Sequence, residues 1–263
     1  GDPDASLPGV LLEIAFHDHP EDAAALKNPR FNQLAARAIY QGIVRYFEHR
    51  DGLDRTLAPE PPTHLRVENV GSGTVRVSWE PPPVDTYNLG GEAATAYQVY
   101  TSTDGFAWRE PITVIGNHHD LTGLTNGSTV YVRVTAINTG GESFPTEVLG
   151  ARVGDPRLVI VNGFDKLNGF GLVLEDDPEM GLNERMWVDQ MNDFAYTVNH
   201  GESVPVTYDH GWDSASNEAI TSDAIDLNKY AVVDWILGEE SNSSDGSLSG
   251  SERARIATYL ASG

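Results

Sequence analysis

Residues 129–136 (TVYVRVTA) constrain this chain more than any other stretch. Val130, Val132 and Val134 fall on one face and Tyr131 and Arg133 on the other, because successive side chains of an extended backbone point to opposite sides. A period of two with one apolar face is the signature of a half-buried strand. The same alternation recurs at residues 64–67 and 74–79, the latter ending at Trp79. Residues 97–100 lead into Asp104-Gly105, a pair suited to a hairpin turn. Short strands at this spacing, with no helical run between them, predict an antiparallel β-sandwich.

Punctuation on either side separates this region from the rest. Pro59, Pro61 and Pro62 make a stiff break with the composition of a linker, and Asp155-Pro156 marks a second boundary. The chain divides into residues 1–57, 58–154 and 155–263, which agrees with a prior of about one domain per 150 residues for a chain of 263. A hydrophobic content of 40% is enough for packed cores. No apolar run approaches the ~20 residues of a membrane helix, so no membrane span is expected.

Charge narrows the partners. The net charge is −22, most of it beyond residue 154, and lysine occurs only as Lys27, Lys166 and Lys229. Nucleic-acid binding through phosphates is not expected of such a surface. An acidic, lysine-poor surface fits either a halophilic or marine source or an ordinary acidic exported protein. Cysteine is absent, which removes disulfides, thiolate metal sites and cysteine nucleophiles.

Trp79 followed by Pro81-Pro82-Pro83, residues 124–134 (LTNGSTVYVRV), and Gly140-Gly141-Glu142-Ser143 before Pro145 together resemble the fibronectin type III family. The resemblance implies a sandwich with a buried Trp79 and a buried Tyr131 whose hydroxyl bonds nearby backbone. Such a domain implies a spacer or a binding module. His118-His119-Asp120 reads as a solvated loop just before a strand rather than as metal ligands. Asn126-Gly127-Ser128 matches a glycosylation sequon and is read as turn chemistry.

Before the sandwich, residues 10–16 (VLLEIAF) read as a buried strand, apolar on both faces and carrying Glu13. Pro20, Glu21 and Asp22 suit a helix start, and residues 31–47 repeat apolar positions at helical spacing. With Glu13, Asn28-Pro29-Arg30-Phe31 and Gln41-Gly42-Ile43, this piece resembles the carboxy-terminal end of zinc-dependent N-acetylmuramoyl-L-alanine amidases. The resemblance implies a catalytic Glu13 serving as base to a zinc-bound water in a parent enzyme, with the zinc ligands upstream of Gly1. His17 and His19 lack a third ligand, so no metal site is expected within this chain, and by itself Glu13 reads as a strand-end acid.

After the sandwich, residues 157–165 read as an apolar strand ending in a polar loop. A helix is expected over 183–196, a strand over 204–208, a helix over 216–222 and a buried strand over 230–237. Ser249 and Glu252 make a capping box for a last helix. This alternation predicts part of a doubly wound α/β unit, flavodoxin-like in class. Residues 162–165 (NGFD), 213–218 (DSASNE) and 235–241 (WILGEES) resemble the class I glutamine-amidotransferase-like domain of bacterial proteins described as xanthan lyase or golvesin-like. The cysteine nucleophile of true amidotransferases is missing. His210, Asp213, Glu218, Glu239 and Glu240 are expected beyond the strand ends, either as a loop site or as solvated acids.

Taken together, the chain is expected to be part of a secreted, periplasmic or cell-surface multidomain protein. The leading expectation is a cell-wall amidase fragment, inactive by itself and acting on peptidoglycan or another surface polysaccharide. The alternatives are a non-catalytic carbohydrate- or cell-surface-binding module and a xanthan lyase-like polysaccharide enzyme. Both α/β pieces are expected to need completion by a second polypeptide or by self-association.

Overall fold

A computed structural model describes residues 11–26, 29–82, 91–163, 196–205, 207–237 and 248–262. Residues 11–16 lie in no sheet, so the buried strand expected over 10–16 is not formed by its described part. Leu11, Leu12, Ile14 and Phe16 are all exposed, Leu12 by 52%. A strand needs a neighbour for its backbone bonds, and none lies alongside among the described residues. Instead the Phe16 N–H donates to the Asp22 carboxylate of α1 (Pro20–Leu26). Pro20 opens that helix where its missing N–H costs nothing, with Glu21 and Asp22 in the first turn.

α2 (Pro29–Asp51) follows, longer than its apolar spacing predicted. Its Arg37 is only 7% exposed and donates to the carbonyls of Ala58 (2.6 Å) and Pro59 (3.2 Å) while pairing with Glu60. The Tyr40 hydroxyl accepts the Ala58 N–H, Glu92 accepts the Leu57 N–H, and Asn138 donates to the Leu57 carbonyl. The proline-rich break is therefore a docked strap, with Leu57 and Ala58 buried. Proline stiffness is visible in a sequence; the guanidinium that satisfies the strap's carbonyls is not.

The sandwich forms where the alternation predicts it. One sheet orders β5 (His118–Leu121), β2 (Thr74–Glu80) and β1 (Thr63–Gly71). The other orders β4 (Ile112–Val114), β3 (Ala96–Ser102), β6 (Thr129–Asn138) and β8 (Leu149–Arg152), with the short β7 (Gly141–Glu142) on the end of β6. Leu65, Val77, Trp79, Val99, Val130, Val132 and Val134 fill the space between them. His118-His119-Asp120 belongs to β5 rather than to a loop: His119 pairs with Val77, and Asp120 accepts two bonds from Arg76.

Tyr131 is buried as expected but faces away from that core. With a period of two, the inward positions belong to Val130 and Val132, so Tyr131 points outward, into a second cluster with Val198 and Trp212. Its hydroxyl lies 3.5 Å from the Val198 carbonyl, 67 residues away, and not on the neighbouring turn.

Beyond the sandwich stand three parallel strands, with β9 (Pro156–Asn162) between β10 (Gly211–Ser216) and β11 (Val232–Ile236). α3 (Tyr196–Ser203) packs on the face carrying Leu158, Ile160 and Trp212. The opposite face buries Val159, Val161 and Ala215 against residues of α4 (Asn217–Thr221), the 3-10 turn Leu227–Lys229, and Tyr259 of α5 (Gly250–Ser262). Ser249 and Glu252 form the predicted capping box. The described residues of 204–208 form no strand: the Tyr208 N–H donates to the Pro205 carbonyl, and the strand starts at Gly211. The helix expected over 183–196 lies outside the described residues except for Tyr196.

β10 joins the two regions. It pairs antiparallel with β1 on one side, at Arg66–Ala215 and Val67–Ser214, and touches β8 at Trp212–Arg152. All the described strands thus belong to one 11-stranded sheet. Of the apolar residues expected to need outside neighbours, Val159, Ile160 and Ile236 are buried, Val233 is half-buried and Leu12 is exposed; Val10 lies outside the described residues.

Candidate functional site

The joint around β10 gathers a dense polar network. Asp213 is buried, and its Oδ1 accepts from both the backbone N–H and the Nδ2 of Asn69, each at 2.8 Å. Its Oδ2 accepts from the Tyr230 hydroxyl at 2.8 Å. Asn69 Nδ2 also reaches the carbonyls of Arg152 and Trp212, and its Oδ1 accepts the Gly154 N–H. One amide side chain on β1 therefore ties β8, β10 and residue 154 together. Burial pushes the Asp213 carboxyl up to about 6, against three donors that favour its ionised form; nearby Glu68 adds to the rise. The same surroundings push the Tyr230 hydroxyl far above its ordinary value. Ser214 extends the joint: its Oγ donates to the Gly150 carbonyl at 2.6 Å and accepts the Gly150 N–H at 2.8 Å.

The residues expected to form one loop site are not brought together. Asp213 sits within β10 with its oxygens engaged by chain donors. His210 precedes the amino end of that strand, and its ring meets Tyr208 edge-on at 5.3 Å. Glu218 is exposed in α4, beyond the carboxyl end of the same strand. Glu239 and Glu240 lie outside the described residues.

Glu13 is exposed on the unpaired segment 11–16, and His19 Nδ1 stands 3.8 Å from the Asp22 carboxylate. Among the described residues no three His, Asp or Glu side chains converge to hold a metal ion. The zinc that the amidase resemblance implies therefore finds no fitting donor set among them.

Sequence reasoning missed two features. His200 on α3 and Asp234 on β11 pair at 2.7 Å, joining two elements that no motif connects. A pair of open clefts lies over residues 153–155, and Asn126 of the 126–128 turn lines both. That turn holds as expected: the Ser128 N–H and Oγ both donate to the Thr125 carbonyl. Neither feature leaves a signal in a single sequence, because the partners come from distant segments.

Comparison with known proteins identifies the middle of the chain. Residues 60–152 match the family model of the fibronectin type III domain, and they form such a domain. Over 43 residues, 16% of this chain, the sequence is 40% identical to the germination-specific N-acetylmuramoyl-L-alanine amidase of Bacillus subtilis, covering 18% of that protein. A stretch of the same length is 44% identical to an uncharacterised cell wall amidase of Bacillus anthracis, covering 8% of it. The chain thus spans less than a fifth of either amidase. Among solved structures, a set of domains from titin is 27% identical over 36% of this chain and 32% of that one, with a TM-score of 0.32.

Proposed function

We propose that this chain is a non-catalytic, wall-binding part of a secreted or periplasmic protein of the cell-wall amidase type. In this reading the fibronectin type III domain and the parallel strands beyond it form one stiff arm that engages peptidoglycan or a related surface polysaccharide. The observation that carries it is the joint: β10 enters between β1 and β8, and Asn69 and Asp213 satisfy each other there. A paired sheet with a buried polar lock fixes orientation, which a free linker does not.

The likeness to two cell-wall amidases supports the connection to the wall. We read it as falling on the segment that carries Glu13 and Gln41-Gly42-Ile43, so Glu13 would have its role in a parent enzyme and not in this chain. The exposed Leu11, Leu12, Ile14 and Phe16 support the companion reading that a second polypeptide or a second copy covers that segment.

Sedimentation with purified insoluble peptidoglycan tests the proposal. The chain should pellet with the wall and release no stem peptide, with or without added zinc. A chain that stays in the supernatant at physiological salt contradicts the binding reading. Zinc-dependent release that Glu13→Ala abolishes contradicts the non-catalytic one.

A further inference from the structure

The clefts over residues 153–155 belong together. One, of about 540 Å³, lies between the 126–129 turn and residues 208–211. The other, of about 530 Å³, lies between the same turn and the 71–73 hairpin. They share Asn126, Val153, Gly154 and Asp155, so they run into each other as one trough across the end of the sandwich.

The floor is held before any ligand arrives. The Val153 N–H donates to the Ser128 carbonyl at 2.9 Å, and the Gly127 N–H to the Val153 carbonyl at 2.8 Å. The Gly154 N–H donates to Asn69 Oδ1 at 3.0 Å, and the Gly211 N–H to the Asp155 carbonyl at 3.0 Å. A trough whose backbone is already ordered loses little freedom on binding.

The walls select the ligand. Tyr208 packs against the cluster around Trp212, meets the His210 ring edge-on, and lines the trough half-buried. Asn126, Asp155 and Asp209 are exposed beside it. Arg152 is the one Lys or Arg among the lining residues, and its guanidinium is engaged by the carbonyls of Val204 (3.1 Å) and Pro205 (3.4 Å). Phosphate, sulfate or uronate would meet two carboxylates, which repel it. A purely apolar ligand would leave those carboxylates dry and unpaired. A neutral sugar matches both demands: its C–H face covers the tyrosine ring, and its hydroxyls donate to Asp155, Asp209 and the Asn126 carbonyl. Two connected clefts suit several sugars in a row better than one.

We propose that this trough binds an uncharged glycan strand. The proposal rests on the cell-wall reading and deepens it, naming the site and the class of ligand.

The test titrates the whole chain, labelled with nitrogen-15, with the soluble tetramer of N-acetylglucosamine. Amide shifts are expected at Asn126, Gly127, Gly154, His210 and Gly211. Tyr208→Ala and Asp209→Ala should each weaken binding by about tenfold or more, whereas Glu80→Ala, on an exposed residue at the end of β2 opposite the 71–73 hairpin, should not. Asp209 is exposed, so its variant keeps the question open even if loss of Tyr208 disturbs the cluster beneath. Absent shifts, shifts confined to other surfaces, or unchanged affinity in Asp209→Ala and Tyr208→Ala each overturn the trough. Peptidoglycan sedimentation with no shift at the trough overturns this site while the wall reading stands. Trough shifts without sedimentation support the site and contradict the wall reading.

Discussion

At the scale of single residues, Asp213 sets a pH dependence whose sign follows from its burial. Its folded value near 6 lies above the ordinary carboxylate value of 3.8, so the folded chain holds this proton more tightly than the unfolded one. The stabilisation is complete below the unfolded value and is lost as pH rises through 6. Between pH 4 and pH 7 this group should therefore remove on the order of 2 kcal/mol of stability. Urea unfolding of the wild type and Asp213→Asn at both pH values isolates the effect, because the other carboxylates are common to both. Parallel pH profiles would contradict the assignment. Tyr230→Phe leaves one buried carboxylate oxygen without its donor and should cost about 1–3 kcal/mol at pH 7. The acid itself is visible in the sequence as part of residues 213–218. Its partner Asn69 stands 144 residues earlier, so a structural lock reads as a candidate ligand.

At the scale of elements, β10 is the strand that pattern reading could not find. Gly211, Trp212, Asp213, Ser214, Ala215 and Ser216 are all buried, yet only Trp212 and Ala215 are large or apolar enough to mark a core strand. Pairing with β9 along the whole strand, and with β1 and β8 on parts of it, holds the rest, and such bonds leave no periodic trace. β2, β3 and β6 were legible because each buries an apolar face against a single core. The outward face of β6 was misread for the same reason: Tyr131 packs on an element far away in sequence.

Two predictions belong here. A Cβ on Gly150 would stand 2.5 Å from Tyr131 Cδ1 and 2.8 Å from the Val130 carbonyl. Gly150→Ala should therefore cost about 1–3 kcal/mol in chemical denaturation, as overpacking does. The Tyr131 hydroxyl bond at 3.5 Å is long, so Tyr131→Phe should lose less than about 1 kcal/mol. A larger loss would point to a strong local bond of the kind expected from the sequence.

At the scale of the whole molecule, a single sheet runs from the outer strand of the sandwich to β11, and the docked strap ties α2 to its other side. The division at Asp155-Pro156 is a change of composition and topology, but not a break in the structure: Asn69 and Gly150 bond Asp213 and Ser214 across it. Stiff arm, polar lock and trough all depend on β10 being seated between β1 and β8. Native-state hydrogen exchange tests that seating most directly. The Asn69 and Gly150 amides donate to side chains of β10, Asp213 and Ser214. Their protection should match that of Val132 in the sandwich core, and all three should be lost together on unfolding. Rapid exchange at Asn69 and Gly150, with Val132 still protected, would mean that β10 does not occupy this place and would contradict the joint.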